Sequence, residues 1–262
     1  MVIVNKKPLQ IVKKSERFYP TGSNADRSSG QVGRASVTGG VTMNEQKLIY
    51  DWNTVDYEYS RDSSKHPHGV WFDDETLRDG LQSPSALNPS IDQKIELLSY
   101  MERLGIQKVD LGLPGAGPFH LDHIDSMLMH IKENDFQIRP GAAVRTLMND
   151  IEPLVNLQSK HEMEIQASAF LGTSPIRQFT EGWTMDKLVS TMEKAVSFAV
   201  ENDVPVMFVT EDTTRSKPED IKLIYQRAMD LGVRRLCICD TCGHVTPNGV
   251  KQLLSYIDEE VI

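Results

Sequence analysis

From Gly69 to the last residue, short apolar runs alternate with amphipathic stretches, and this rhythm restricts the possible folds more than any other feature. The runs at 70–73, 108–113, 137–144, 163–171, 206–210 and 236–240 read as strands. They are short, largely apolar and bounded by turn residues. Apolar residues recur at helical spacing near 90–104, 119–134, 149–160, 185–202, 217–231 and 247–260. Met185, Leu188, Met192 and Val196 form one such stripe and read as core. Local signals agree with these boundaries. Ser90 precedes Gln93 by three residues and Ser216 precedes Glu219 by three, so each pair predicts a capping box. Thr246-Pro247 opens the last helix, with proline at its first position. Gly105 and Gly232 sit just past helix ends, where a left-handed residue is needed. Strict alternation of this kind implies a parallel sheet covered by helices, either an open doubly wound sheet or a (β/α)8 barrel.

The polar residues choose between the two. Arg78 and Asp79 follow the first strand, Asp110 lies in the second, and Arg145 ends the third. Ser168 lies late in the fourth strand, followed by Thr173 and Ser174. Glu211-Asp212 end the fifth strand and Asp240-Thr241 the sixth. A barrel gathers all these strand ends into one mouth, whereas an open sheet gathers only those at its switch point. No Gly-x-Gly-x-x-Gly turn follows the first strand. The sequence therefore predicts a barrel. Within it, Asp79 is an oxygen donor that a hard divalent cation would accept, and Arg78 is a fixed donor for an anion beside that cation. The competing reading of the pair is an ordinary surface ion pair.

Composition bounds the rest. Of 262 residues, 28 are basic and 37 acidic, a net charge of −9 that argues against nucleic acid or an anionic membrane as partner. No apolar run approaches the roughly 20 residues of a membrane span. Three cysteines crowded at 237–242 do not make a disulfide framework and point to a reduced, cytoplasmic protein. Cys239-x-x-Cys242 has redox-motif spacing, but Cys237 and Cys239 share a strand face and read as core. His120-x-x-His123 reads as surface. Residues 1–40 are rich in Ser and Gly and are expected to form a mobile tail. A transit peptide is the weaker reading of that stretch. The aromatics of 41–68 (Tyr50, Trp52, Tyr57, Tyr59) predict an arm packed on the main domain or on a second subunit. His66-Pro67-His68 reads as a loop before the first strand.

The stretch Asp74-Glu75-Thr76-Leu77-Arg78-Asp79-Gly80-Leu81-Gln82 resembles the first-strand signature of the metal-dependent Claisen-type enzymes on a TIM barrel. These are 2-isopropylmalate synthase, homocitrate synthase and citramalate synthase, with hydroxymethylglutaryl-CoA lyase as a more distant relative. The resemblance continues through Val109-Asp110-Leu111-Gly112-Leu113-Pro114, Arg145, Leu171-Gly172-Thr173-Ser174-Pro175, Glu211-Asp212 and Asp240-Thr241-Cys242-Gly243, and covers residues 69–262. It implies condensation of acetyl-CoA with a 2-oxo acid, assisted by a divalent metal (Mg, Mn or Zn), in an enzyme that is a homodimer at full length. By that resemblance Asp79 is a metal ligand and Arg78 stabilises the oxyanion. Arg145 pairs bidentately with a substrate carboxylate, and Glu211 moves a proton or orders a water. Gln82, Asp110, Ser168, Thr173, Ser174 and Thr241 are implied to contact substrate.

The departures are specific. Leu81 stands where the synthases carry Glu, as in the lyases. Asp110 replaces a Glu, and Ser168 a His of the isopropylmalate synthases. Glu211-Asp212-Thr213-Thr214-Arg215 points back to the synthases. Only about six βα units are present, averaging roughly 32 residues, against eight in a barrel of about 250 residues. The His-x-His that the family carries on strand seven has no counterpart after strand six. The sequence therefore predicts an incomplete or truncated copy, not competent alone, whose first and sixth strands expose open edges that favour self-association. Two rivals accompany the synthase reading: a carbon–carbon lyase of the same fold, and a non-catalytic remnant or interaction module.

Overall fold

The computed structural model of the chain describes residues 2–5, 48–55 and 71–262. A first strand, β1 (Val2–Asn5), is followed over 71–262 by an unbroken alternation. Its elements are β2 (Asp73–Asp74), α1 (Ile91–Arg103), β3 (Lys108–Asp110), α2 (Pro118–Glu133), β4 (Arg139–Arg145), α3 (Met148–His161) and β5 (Gln166–Gly172). They continue with α4 (Pro175–Glu181), α5 (Met185–Glu201), β6 (Val206–Glu211), α6 (Pro218–Asp230), β7 (Arg235–Ile238) and α7 (Pro247–Tyr256). Strands β2 to β7 pair in parallel and in sequence order, as the alternation predicts. The sheet curls as a half-barrel, so the fold is a partial TIM barrel of six βα units.

Side chains alternate across this sheet with the two-residue period of a strand. Along β6, Val206 and Phe208 join the large core beneath the helices, with Ala142, Val144, Ala167, Ala169 and Leu236 from neighbouring strands. Met207 faces the other way and forms a second apolar cluster with Cys237, against Trp71, Val209 and Cys239. The predicted stripe on α5 is core, with Leu188, Met192 and Val196 all buried. Small residues on the outer face of β4 and β5 let helices approach the sheet closely, and large ones on the helices fill the remaining space.

Helix ends follow the local chemistry with one exception. Ser90 and Gln93 form the predicted capping box, and Thr246 caps α7 by accepting from the Gly249 N–H. Gly105 and Gly232 adopt positive φ at +71° and +106°. The capping box expected at Ser216 and Glu219 does not form. Pro218 takes the first position of α6, so Lys217 becomes its cap. The Ser216 hydroxyl instead donates to the Asp212 carbonyl at 3.1 Å and accepts from Thr173 at 3.0 Å. Helix α4 was not anticipated. It begins at Pro175, directly after Ser174.

Two segments from the N-terminal part dock on the sheet's C-terminal side. Trp52 is 2% exposed, its ring lies 5.3 Å from that of Tyr256, and its Nε1–H donates to the Ser216 carbonyl at 3.2 Å. The Asn53 side-chain oxygen accepts from both the backbone N–H and the hydroxyl of Thr246, each at 2.8 Å. The described part of the predicted arm, residues 48–55, therefore packs on the main domain, with Asn53 at the start of α7 and Trp52 against Tyr256 at its end. Strand β1 pairs antiparallel with β7, Val2 opposite Ile238 and Asn5 opposite Arg235. This corrects two expectations. Residues 2–5 are not part of a mobile tail, and the edge of the sixth parallel strand is not open. The run Val2-Ile3-Val4 has high strand propensity, and the unpaired edge of β7 offers it a ladder of backbone partners. The remainder of the predicted tail, Tyr57, Tyr59 and His66-Pro67-His68 lie outside the described residues.

Because Trp52 seals the core edge at α7, Trp52→Ala is expected to destabilise the chain by roughly 3–5 kcal/mol, the range for truncating a buried aromatic. Urea unfolding measures this. An unchanged midpoint and slope would show that the arm contributes no packing.

Candidate active site

The ends of the strands deliver their inward side chains to one cavity of about 490 Å³. Strand β5 contributes Ser168 and Phe170, and β6 contributes Met207, Val209 and Glu211. The segment after β7 adds Cys239, Asp240 and Thr241, while the turn after β2 adds Glu75, Arg78, Asp79 and Gln82. Parallel pairing alone produces this convergence, since every strand reaches the same rim from the same direction.

Arg78 dominates the floor of the cavity. The backbone N–H groups of Arg78 and Gly80 donate to the Glu75 carbonyl at 3.2 and 3.0 Å, closing a tight turn. That turn sets Arg78 three residues from Glu75, and their side chains form an ion pair. Glu75 is 5% and Asp110 3% exposed. Arg78 Nε lies 3.8 Å from Asp110 Oδ2, and its Nη1 lies 3.6 Å from Asp79 Oδ1. Asp110 Oδ1 accepts from the Gly112 and Ala143 N–H groups at 3.0 and 3.3 Å. Burial, reinforced by the Glu75 charge, pushes the Asp110 carboxyl up to about 8, although Arg78 opposes the shift. Burial would lower the Arg78 guanidinium, but Glu75 and Asp110 outweigh it and hold the group above its ordinary value. Arg78 Nε and Asp110 Oδ2 are both buried without a hydrogen-bond partner among the described residues. At 3.8 Å they are too far apart to satisfy one another. The cavity floor thus presents the unpartnered Nε–H of Arg78, a donor suited to a small ligand carrying an oxygen, with the unpartnered Asp110 carboxyl oxygen beneath it.

The structure sorts the residues singled out by the sequence. Arg78, Asp79, Gln82, Ser168, Glu211 and Thr241 line the cavity together. Asp110 lies beneath it. Glu211 Oε2 is 3.7 Å from Arg177 Nη2. Thr241 Oγ1 accepts from the Asp212 N–H at 2.9 Å. Three expectations are corrected. Arg145 does not offer its fork to a substrate, because its Nε and Nη2 already hold both oxygens of the fully buried Asp150 at 2.8 and 2.7 Å. Thr173 and Ser174 have no exposed surface and do not reach the cavity. Thr173 donates to Ser216, and the Ser174 hydroxyl is enclosed without a partner among the described residues. Asp240 closes the turn after β7 by accepting from the Thr214 hydroxyl at 2.7 Å and the His244 N–H at 3.0 Å.

Sequence reasoning passed over Glu75, although its i, i+3 spacing to Arg78 was the available signal. It also passed over Arg177, and it read Cys239 as core, whereas that residue lines the cavity. Cys237 and Cys239 sit with sulfurs 3.7 Å apart, and Cys242 instead accepts from Arg215 Nη2 at 3.0 Å. The two halves of the Cys-x-x-Cys spacing therefore have different neighbours. As for a resident metal, no group of three or more His, Cys, Asp or Glu among the described residues is placed to hold one. Asp79 is a single donor, so the described residues do not make a complete divalent-ion site.

Removing the cation from a buried cluster strands its anions. Arg78→Met is expected to cost roughly 3 kcal/mol at pH 9, the low end for breaking a buried pair because Arg78 keeps some exposure. The sign of the pH effect follows from Asp110. Its folded value near 8 exceeds the unfolded value of about 3.9. Its proton therefore favours the folded chain, and that contribution is lost as pH rises through about 8. The cost of Arg78→Met should thus be smaller at pH 6, where Asp110 is neutral. Chemical denaturation at both pH values tests this, and an equal loss at each would contradict the assignment.

Comparison with known proteins agrees with the resemblance read from the sequence. Residues 70–262 match the family model described as HMGL-like. A 2-isopropylmalate synthase of Sediminispirochaeta smaragdinae is 27% identical over 198 residues, 74% of this chain and 38% of that protein. A 2-isopropylmalate synthase of Lactococcus lactis is 29% identical over 73% of this chain and 36% of its own length. A homocitrate synthase of Saccharolobus islandicus is 26% identical over 72% of this chain and 40% of its own. The chain thus spans about two fifths of the length of these relatives. The crystal structure of the HMG-CoA lyase from Brucella melitensis superposes with a TM-score of 0.57 at 17% identity, covering 72% of this chain and 68% of that one. That likeness establishes the fold. With strand-end chemistry, fold and sequence match in agreement over residues 70–262, the chain belongs to the HMGL-like family.

Proposed function

We propose that the cavity serves carbon–carbon bond formation between acetyl-CoA and a 2-oxo acid, followed by hydrolysis of the thioester. The observation that supports this most is Arg78, a charged fork paired with the buried Glu75, with its Nε unpartnered at the cavity floor 3.8 Å from Asp110. In such a reaction a base removes a proton from the acetyl methyl, and the resulting carbon attacks the ketone carbon. The ketone oxygen takes up the electron pair and then a proton, and water subsequently splits the thioester. A preorganised cation beside the ketone oxygen stabilises the charge that develops there, and because Arg78 is already held in place it reorganises little. Glu211 is the cavity carboxylate available to take the methyl proton or to order the water. Gln82, Ser168 and Thr241 provide hydrogen bonds that orient the oxo acid. Asp110, neutral below about pH 8, can donate to a substrate oxygen that a charged carboxylate would repel.

A divalent cation belongs to this proposal through the resemblance, with Asp79 as its one donor among the described residues. Since those residues do not complete its coordination, no step here is assigned to it. The second reading is a lyase of the same fold running carbon–carbon cleavage, and Leu81 favours it because the related lyases carry Leu at that position.

Free-thiol release from acetyl-CoA, measured with a panel of 2-oxo acids and added Mg, Mn or Zn, separates the two. Release that depends on one oxo acid supports condensation. Cleavage of a 3-hydroxyacyl thioester with no release from acetyl-CoA supports the lyase. Under condensation, Arg78→Lys should lower kcat by about 10²–10³, because Lys keeps the charge but loses the planar fork. Asp79→Ala should abolish any metal dependence, and calorimetric titration unchanged by Asp79→Ala would remove that donor from the account.

A further inference from the structure

At the opposite rim of the sheet, where β5, β6 and β7 begin, lies a cavity of about 810 Å³, within the size range of small-molecule sites. Gln166 opens β5 and Arg235 opens β7, and both line it. On β7, Cys237 of the Met207 cluster stands between Arg235 and the Cys239 of the upper cavity. Arg235 Nη1 donates to Gln166 Oε1. That contact fixes the amide, because a guanidinium offers only donors and must face the oxygen. Gln166 is 4% exposed, and its Nε2 has no hydrogen-bond partner among the described residues. Arg235 is half-buried and forms no ion pair among the described residues, although Glu164 and Asp203 line the same cavity. Burial and the neighbouring Arg139 push its guanidinium below the ordinary value, with Glu164 and Asp73 opposing. A cation that serves only the packing of this rim is closed by a carboxylate, as Lys108 at the start of β3 is by Asp73 at 2.8 Å. Arg235 is not closed in this way.

We propose that this cavity binds a small monocarboxylate with a short apolar chain, its head held by the Arg235 guanidinium and the Gln166 Nε2–H group. The site is independent of the reaction assigned to the upper cavity. The groups left over here are donors, so the head of the ligand must be an acceptor. Arg235 and Gln166 are hydrogen-bonded neighbours, so the two oxygens of one carboxylate can take a donor from each, and its charge compensates the guanidinium. A hydroxyl would supply one acceptor and no charge. A dianion such as phosphate fits less well, because the exposed Glu164 and Asp203 balance Arg234 and Arg235 in the lining and repel a second negative charge. The chain of the ligand has an apolar wall in the half-buried Val200 and Pro205, together with the buried Val204 and Val206. Removing that chain from water favours binding in proportion to the apolar area covered.

The test uses the whole chain and titration calorimetry with hexanoate, the neutral hexan-1-ol and inorganic phosphate. Hexanoate should bind at least about tenfold more tightly than either of the others. Gln166→Glu replaces the spare donor with a carboxylate that pairs with Arg235, and should weaken hexanoate at least about tenfold. Arg235→Met, which removes the charge and keeps the bulk, should do the same and supplies an independent second variant. Arg78→Lys, in the upper cavity, should leave hexanoate affinity unchanged. During titration the side-chain amide resonances of Gln166, assigned by their absence in Gln166→Glu, should shift. No hexanoate binding to the wild type, equal affinity in wild type, Gln166→Glu and Arg235→Met, or a loss in Arg78→Lys instead would each overturn the site. Phosphate binding more tightly than hexanoate would overturn the monocarboxylate assignment.

Discussion

Arg78 is an arginine set into a sheet floor between two buried carboxylates, and the candidate site takes its character from that arrangement. Burying the two carboxylates costs several kcal/mol apiece unless each finds compensation, and the compensation here is incomplete. Glu75 takes one side of the guanidinium. Asp110 spends one oxygen on two backbone N–H groups and leaves the other facing Arg78 across 3.8 Å. Burial, with the Glu75 charge adding to it and Arg78 opposing, makes Asp110 keep its proton up to about 8. A fully satisfied cluster would be an inert strut. This one retains the unpartnered Arg78 Nε–H and an unpartnered Asp110 carboxyl oxygen among the described residues.

The rest of the chain keeps that cluster at a fixed rim. Small residues on the helix side of β4 and β5 let helices pack closely, so register is set by burial and every inward residue reaches its intended level. On the far side of the sheet the support comes from outside the βα alternation. Asn53 pins the start of α7, Trp52 packs on Tyr256 at its end and donates to the Ser216 carbonyl, and β1 completes the hydrogen bonding of β7. Asp240, Thr241 and Cys239 lie between those two anchors, so the β7 wall of the cavity depends on segments distant in sequence.

Strand order, helix positions and most of the rim were legible because period-two and helical patterns, glycine positions and capping residues are local properties. What escaped the sequence was non-local. Arg145 ends its strand as expected, yet the deciding partner is Asp150 on the next helix, and nothing in their spacing announces a bidentate bridge. Thr173 and Ser174 follow β5 at the right point, but the chain turns directly into α4 and encloses them. Val2-Ile3-Val4 was overlooked because a four-residue strand in a polar context is a weak signal until an edge exists for it to pair with. Glu75 was readable in hindsight as the i, i+3 partner of Arg78, but its burial is a property of the packed fold that the motif does not announce.

The central claim, that Arg78 is held by two carboxylates of which one keeps its proton, is tested most directly by the side-chain carboxyl carbon resonance of Asp110. It should be followed by NMR from pH 4 to 10 in the whole chain and assigned by its loss in Asp110→Asn. The account predicts a titration midpoint near 8 that moves down in Glu75→Gln, where one repelling charge is gone. A midpoint near the ordinary value of about 3.9, unchanged by Glu75→Gln, would contradict it.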